Sequence, residues 1–505
     1  MLALAFAAPG ALAIGTPVAA DPLYAAIAPV ELASVHAETA GQLTRYRLNA
    51  DFSPASGATL ASITGTLDLA YVNATGVRQS TVYLRLYPNS AIYPAGGMEI
   101  TDLLVDGQSM AVDLRVQRTV LAAPLAKPLA PGGTVDLQLS FRTQVPTDPS
   151  GTYDMFAFDS ATQVYTLANW FPILAGYDPA SGWLIDPPAV IGDPVFANMA
   201  LFDGLFTVPS NVVVAAGGAE MDAQRSGDRT TYHLVTGPAR DLVLALSPRF
   251  QTASQTVGET TVTSYFLPEH ADVGTAVLTF GARALERYGK WFGVYPYRQF
   301  ALVEAPLSPG ARGVEFPQLV FLNSDMYQNT NASGRQQLEY VVAHEVAHQW
   351  FYGLVGNDQY QHAFLDEGLA TTVALIEIAA AGNSGSSAIE SVFVIKPYQN
   401  FLQAHGDLVV DAPSESFSSS LAYNAIVYGK AVFGFDAIRA AIDEALVCRE
   451  TGEKKTILFG LSGTGYFDMS AYMSYQNGDM TDYIPTDEEL ARGFAQLPEI
   501  PAELA

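Results

Sequence analysis

The chain has 505 residues, about half of them apolar and only 15% charged, with a formal net charge of −26. That length exceeds one ordinary core and implies two or three packed domains. The acidic balance excludes a basic footprint for nucleic acid, and an anionic membrane surface would repel it. Cys448 is the only cysteine, so an intramolecular disulfide is excluded as well.

Residues 1–20, "MLALAFAAPGALAIGTPVAA", carry no charge, and small residues at Val18 and Ala20 precede "DPLY". This reads as a signal peptide and implies an exported, periplasmic or secreted protein. Pro9, Gly10 and Pro17 argue against a stable spanning helix there. No other run is long and apolar enough to span a membrane.

From about 40 to 250 the pattern is β. In "TVYLRLYP" (81–88) Val82, Leu84 and Leu86 share one face. In "TVDLQLSF" (134–141) Val135, Leu137, Leu139 and Phe141 do the same, after the turn signal "APGG". "DLVLALSP" (241–248) adds a further strand, and the whole suggests a sandwich or an open, twisted β domain. Near 270 the period changes to that of a helix: Val273, Val277, Phe280, Ala284, Tyr288 and Trp291 recur at threes and fours before Gly293 and Pro296. Helical patterns follow over 333–355, 367–381, 385–403 and 424–446. The predicted organisation is therefore α+β, with a β domain over 21–252 and a mainly helical domain over 253–505.

The chemistry centres on "VVAHEVAHQW" (341–350). Ser333 and Gln336 form a capping-box pattern that starts this helix. His344 and His348 lie one turn apart, about 40° round the axis, so both imidazoles can reach one ion. Glu345 flanks them and can take a proton from an activated water without ligating the metal. A catalytic zinc needs a third protein ligand and an open position. Glu367, in "FLDEGLATTVALIEIAA", lies 19 positions after His348, enough for a turn and an antiparallel return. Asp366 competes with it, but neighbours on a helix point about 100° apart, so only one of the two can be the ligand. The bland alternative is a chance pair of histidines on one helix face, which the short motif alone does not exclude.

With these residues in view, the chain resembles the aminopeptidase N and leukotriene-hydrolase family of zinc peptidases. "HEVAHQWFYGLVGNDQYQHAFLDEGLA" reproduces that family's spacing, with Asp366 where the family usually has Asn. The resemblance implies one zinc per chain held by His344, His348 and Glu367, with Glu345 as general base. It also implies a β saddle domain followed by a thermolysin-like catalytic domain. The family's G-x-M-E-N strand is matched by Gly313, Val314 and Glu315, with Val for Met and Phe316 for Asn. Gly313 and Glu315 are thereby implied in substrate binding, Glu315 on a free α-ammonium group. A Y-x-K helix is matched by Tyr428-Gly429-Lys430, 61 positions after Glu367. Tyr428 is implied in stabilising the oxyanion, with Tyr423 as its runner-up. Only 77 residues follow Tyr428, so the resemblance is to a short bacterial type lacking the large helical carboxy-terminal domain. The expected activity is a zinc aminopeptidase acting on peptides with a free amino terminus. A thermolysin-type zinc endopeptidase and a catalytically dead binding relative are the alternatives. His362, His36, His233, His270 and His405 show no partner pattern and read as surface or satisfied groups.

Overall fold

Apolar alternation is realised as sheet throughout the first half of the chain. In the computed structural model, which describes residues 21–148, 153–192 and 194–455, Thr44–Ser53 alternates buried and exposed side chains without a break. It lies in an eight-stranded sheet between Ala61–Val72, which is antiparallel to it, and Ala200–Pro209, which is parallel. Thr134–Val145 pairs antiparallel with Ala61–Val72 over its whole length, placing Leu137, Leu139 and Phe141 on the inner face. Two four-stranded sheets contain the other expected strands, Gln79–Arg85 and Leu244–Ser247. The core between the sheets is aromatic: Trp170 packs edge-on against Phe171 and Phe206, and its indole N–H donates to the Leu242 carbonyl. That bond satisfies the one polar atom of a fully buried ring.

A five-stranded sheet begins at Gln251–Val257 and runs through Thr260–Phe266, Gln299–Ala305, Leu319–Asn323 and Gly313–Phe316. Its central strands are parallel, joined through the helix Ala271–Phe292, while the edge strand Gly313–Phe316 turns back antiparallel through Pro317 and Gln318. Gln318 takes the left-handed backbone conformation (φ 62°) that so tight a turn requires. Against this sheet pack Ala271–Phe292 and Ala332–Ala347, and Phe364–Ala380 packs on Ala332–Ala347. The fold is thus α+β, multi-sheet β followed by a sheet and a helical region.

The helices differ from their sequence patterns in instructive ways. The motif helix is capped by Asn331, whose side chain accepts from the Gly334 amide, and not by Ser333. An Asn two residues earlier reaches the same orphan amides and wins the position. That helix ends at Ala347, with His348 as its C-cap, instead of continuing to 355. The 385–403 and 424–446 patterns become helices running on through π turns at Ser391–Ile395 and Asn424–Lys430. Among the described residues no helix is long and apolar enough to cross a membrane. The expected signal over 1–20 and the tail beyond 455 lie outside the described residues.

Candidate metal centre

Three donor atoms converge where the motif helix meets the next one. Glu367 Oε2 lies 3.0 Å from His344 Nε2 and 3.3 Å from His348 Nε2, and the two imidazole nitrogens are 3.1 Å apart. A tetrahedral zinc with bonds of about 2.0–2.1 Å sets its ligand atoms roughly 3.3 Å apart, so the triad already has the right edge lengths. The electrostatics agree. His348 Nδ1 faces the Phe351 carbonyl at 3.1 Å, which orients the ring with Nε2 toward His344 and Glu367. With both Nε2 atoms deprotonated, the three atoms would offer lone pairs to a single cation.

Asp366 and Glu367 separate as their helical positions demand. Asp366 turns away, its Oδ1 accepting from the Glu367 amide, and leaves Glu367 alone in the triad. Burial raises the Asp366 carboxyl to about 8, with the Glu367 charge adding to the effect. Glu367 itself is held far below the usual range: burial opposes its ionisation, but hydrogen bonds from His344 and His348 overcome it. Burial pulls His344 down, whereas Glu315, Glu367 and Glu345 push His348 well up against its own burial.

Glu345 is buried, and its Oε2 has no hydrogen-bond partner. Burial, then the neighbouring Glu315 charge, raises its carboxyl well above the ordinary glutamate range. A buried carboxylate oxygen without a partner, beside this triad of donor atoms, is free to accept a proton. Glu315 faces the same space, since one donor atom each from Glu315, Glu345 and His348 lies within 4.8 Å of the others. This second cluster shares His348 with the triad, and the compact His344, His348 and Glu367 set fits zinc better because it supplies two imidazoles.

Gly313 lies against the Glu345 side chain. A Cβ there would lie 2.3 Å from Glu345 Oε1 and 2.5 Å from its Cδ, so the missing side chain is what admits the Glu345 carboxylate. Tyr428, on the π turn, donates its hydroxyl hydrogen bond to Glu367 Oε1, and its ring lies 5.9 Å from that of His344. Burial and the Glu367 charge raise its phenol well above the ordinary value. Tyr423 packs edge-on against Phe417 and against Tyr428, behind the site. Lys430 turns outward to Asp407 and the Leu408 carbonyl, so the lysine of Y-x-K pins a loop.

Three contributors were not legible in the sequence. Gln349 accepts from the Gln318 amide and from the Tyr295 hydroxyl and donates to the Phe316 carbonyl, clamping the turn beside Glu315 to the end of the motif helix. Thr371 Oγ1 lies 3.4 Å from His344 Nδ1. Tyr153, from the β region, accepts from the Gly192 amide and contributes to raising the Tyr428 phenol. No motif spacing marks any of them, because each acts across a distance in sequence. Among the histidines outside the motif, His362 pairs with Asp411 on the surface, while His270 pairs with buried Glu304.

A sheet edge, a two-histidine helix and an acid on the next helix bring together a donor set that could hold one metal ion. Comparison with known proteins narrows the class: residues 277–445 match the Peptidase family M1 domain. Over 112 residues the chain is 35% identical to Aminopeptidase M1 of Arabidopsis thaliana, a stretch that covers 21% of this chain and 12% of that one. Over 110 residues it is 33% identical to Aminopeptidase M1-D of Oryza sativa subsp. japonica, with the same coverage of 21% and 12%. A shorter similarity of another kind is also present: 46 residues are 70% identical to Tryptophan synthase beta chain 2 of Aquifex aeolicus, covering 9% of this chain and 11% of that one. The chain thus spans only about an eighth of the length of the curated relatives it matches.

Proposed function

We propose that the chain is a zinc-dependent aminopeptidase that hydrolyses the first peptide bond of a substrate with a free amino terminus. One observation carries this reading: Glu315 stands within reach of both Glu345 and His348. In an aminoacyl substrate the α-nitrogen and the carbonyl carbon to be attacked are about 2.5 Å apart, from standard bond lengths and angles. An acid holding the ammonium must therefore stand within a few ångströms of the base, as Glu315 does. An endopeptidase has no use for a buried acid at that point, because the group there is an uncharged amide.

His344, His348 and Glu367 would hold the zinc. Bound there, it would supply Lewis-acid polarisation and a lowered water pKa. Glu345 accepts the proton of the attacking water and returns it to the leaving amine. Tyr428 directs its O–H toward the carbonyl oxygen as negative charge grows there, exchanging its Glu367 partner for the substrate. Glu315 fixes the ammonium, and with it the distance from the chain end to the cleaved bond. The tryptophan synthase similarity supports no second activity, because 46 residues fall short of a folded domain.

The test pairs zinc content of the purified protein with rates on peptides carrying free or acetylated amino termini. The reading expects zinc near one per chain and cleavage of the free series only. Comparable cleavage of the acetylated series would replace it with an endopeptidase, and a zinc-loaded chain inert on both with a binding relative.

A further inference from the structure

A narrow pocket beside Glu315 is left unexplained by the reaction itself. Val314 and Phe316, the neighbours of Glu315 on the edge strand, line it together with Met155 and Val195 from the β region. These side chains make an apolar sleeve. The polar residues in its wall are Glu315, Asp241, Arg240, Tyr352 and Gln359.

Arg240 is held in the wall. Its Nε donates to the Tyr352 carbonyl and its Nη1 to the Ala197 carbonyl, and the guanidinium lies against the rings of Phe196 and Tyr352. Gly356 makes room for it, since a Cβ there would fall 1.4 Å from Nη2. Asp241 is less well provided for. It is 5% exposed, and the one hydrogen bond its carboxylate makes among the described residues is Oδ1 accepting from the Leu242 amide. Burial lifts its carboxyl to about 7, lowered only by that amide. Gln359 is also buried, and its Oε1 has no partner. A carboxylate with one donor and an amide oxygen with none thus stand in the wall of this pocket.

We propose that this pocket receives the side chain of the substrate's amino-terminal residue and that Asp241, assisted by Gln359, selects a basic one, lysine or arginine. The proposal rests on the aminopeptidase reading for its substrate but not for its test. A lysine stem fills the apolar sleeve, and its ammonium supplies donors to both oxygens, as buried charges require.

The experiment measures binding of L-lysinamide and L-norleucinamide to the full chain by calorimetry. Both carry the α-ammonium, so the contribution of Glu315 cancels in their ratio. Lysinamide is expected to bind about 10-fold tighter or more, and Asp241→Asn to bring the ratio close to one. Equal binding, tighter binding of norleucinamide, no binding of either, or a ratio that survives Asp241→Asn would each overturn the proposal. Should the variant fail to fold, the wild-type ratio still decides. A preference for lysinamide without cleavage of any free peptide would instead fault the aminopeptidase reading and leave the pocket standing.

Discussion

Gly313→Ala tests whether the edge strand sets the position of the proton acceptor. The added Cβ would sit 2.3, 2.5 and 2.7 Å from Oε1, Cδ and Cγ of Glu345. Ordinary carbon contacts are about 3.5–4.0 Å, so something must move by roughly 1 Å. The strand resists, because it pairs with Leu319–Asn323 and Gln349 clamps its turn. The Glu345 carboxylate yields, since its Oε2 has no partner to hold it. The backbone at Gly313 is not left-handed, so alanine brings no conformational strain. A misplacement of about 1 Å at the reacting groups costs on the order of 10²-fold in rate. The variant is therefore expected to keep its zinc and to unfold within a few degrees of wild type, with kcat about 10²-fold lower on a free aminoacyl anilide. Metal analysis, thermal unfolding and steady-state kinetics on one preparation check all three. Unchanged kcat, or loss of zinc together with activity, would refute the argument that Gly313 exists to admit Glu345.

The other expectations follow from individual contacts. Glu345→Gln should retain zinc and lower kcat by about 10²–10⁴-fold, read from metal content and turnover together. Tyr428→Phe should lower kcat by about 10²-fold with little change in KM, whereas Tyr423→Phe, behind the site, should not. Glu315→Ala should harm free-amine substrates far more than acetylated ones, and equal loss on both would remove its assigned role. Asp241 gives a pH dependence. Its folded carboxyl titrates near 7 because burial disfavours the charge, against about 3.9 in the unfolded chain. The native state thus keeps the proton longer, and stability is lost as pH rises from about 4 to about 7, by a few kcal/mol in all. Asp241→Asn should escape that loss, so its melting temperature relative to wild type should be higher at pH 8 than at pH 5. An equal difference at both values would contradict the burial argument.

What the sequence made legible divides by the range of the interaction. His344, His348 and Glu345 were readable because helix geometry fixes neighbours one turn apart, and Glu367 because a short return brings the next helix back. Strands such as Thr134–Val145 were readable for the same local reason, an alternation that the pleat imposes. Helix ends were less so. Ser333 looked like a cap, but Asn331 reached the amides first, and such choices are decided by one or two residues. The clamp made by Gln349 was invisible, since its partners lie 31, 33 and 54 positions away and any polar residue would look the same in a string.

The arrangement also explains why the resemblance tolerated Val314 and Phe316 where the family has Met and Asn. Neither side chain belongs to the metal triad; both line the pocket beside Glu315 and face the β region's core. Glu315, between them, also lines that pocket and reaches Glu345 and His348. The acid assigned to the ammonium and the side chains assigned to selectivity therefore sit side by side on one short edge strand. Substitution at Val314 or Phe316 changes what fits beside Asp241 without removing the acid that holds the ammonium. Substitution of Gly313 or Glu315 strikes the reaction itself. Exchanging Val314 for a larger residue should thus alter the order of preferred amino-terminal residues before it alters the rate on the best of them.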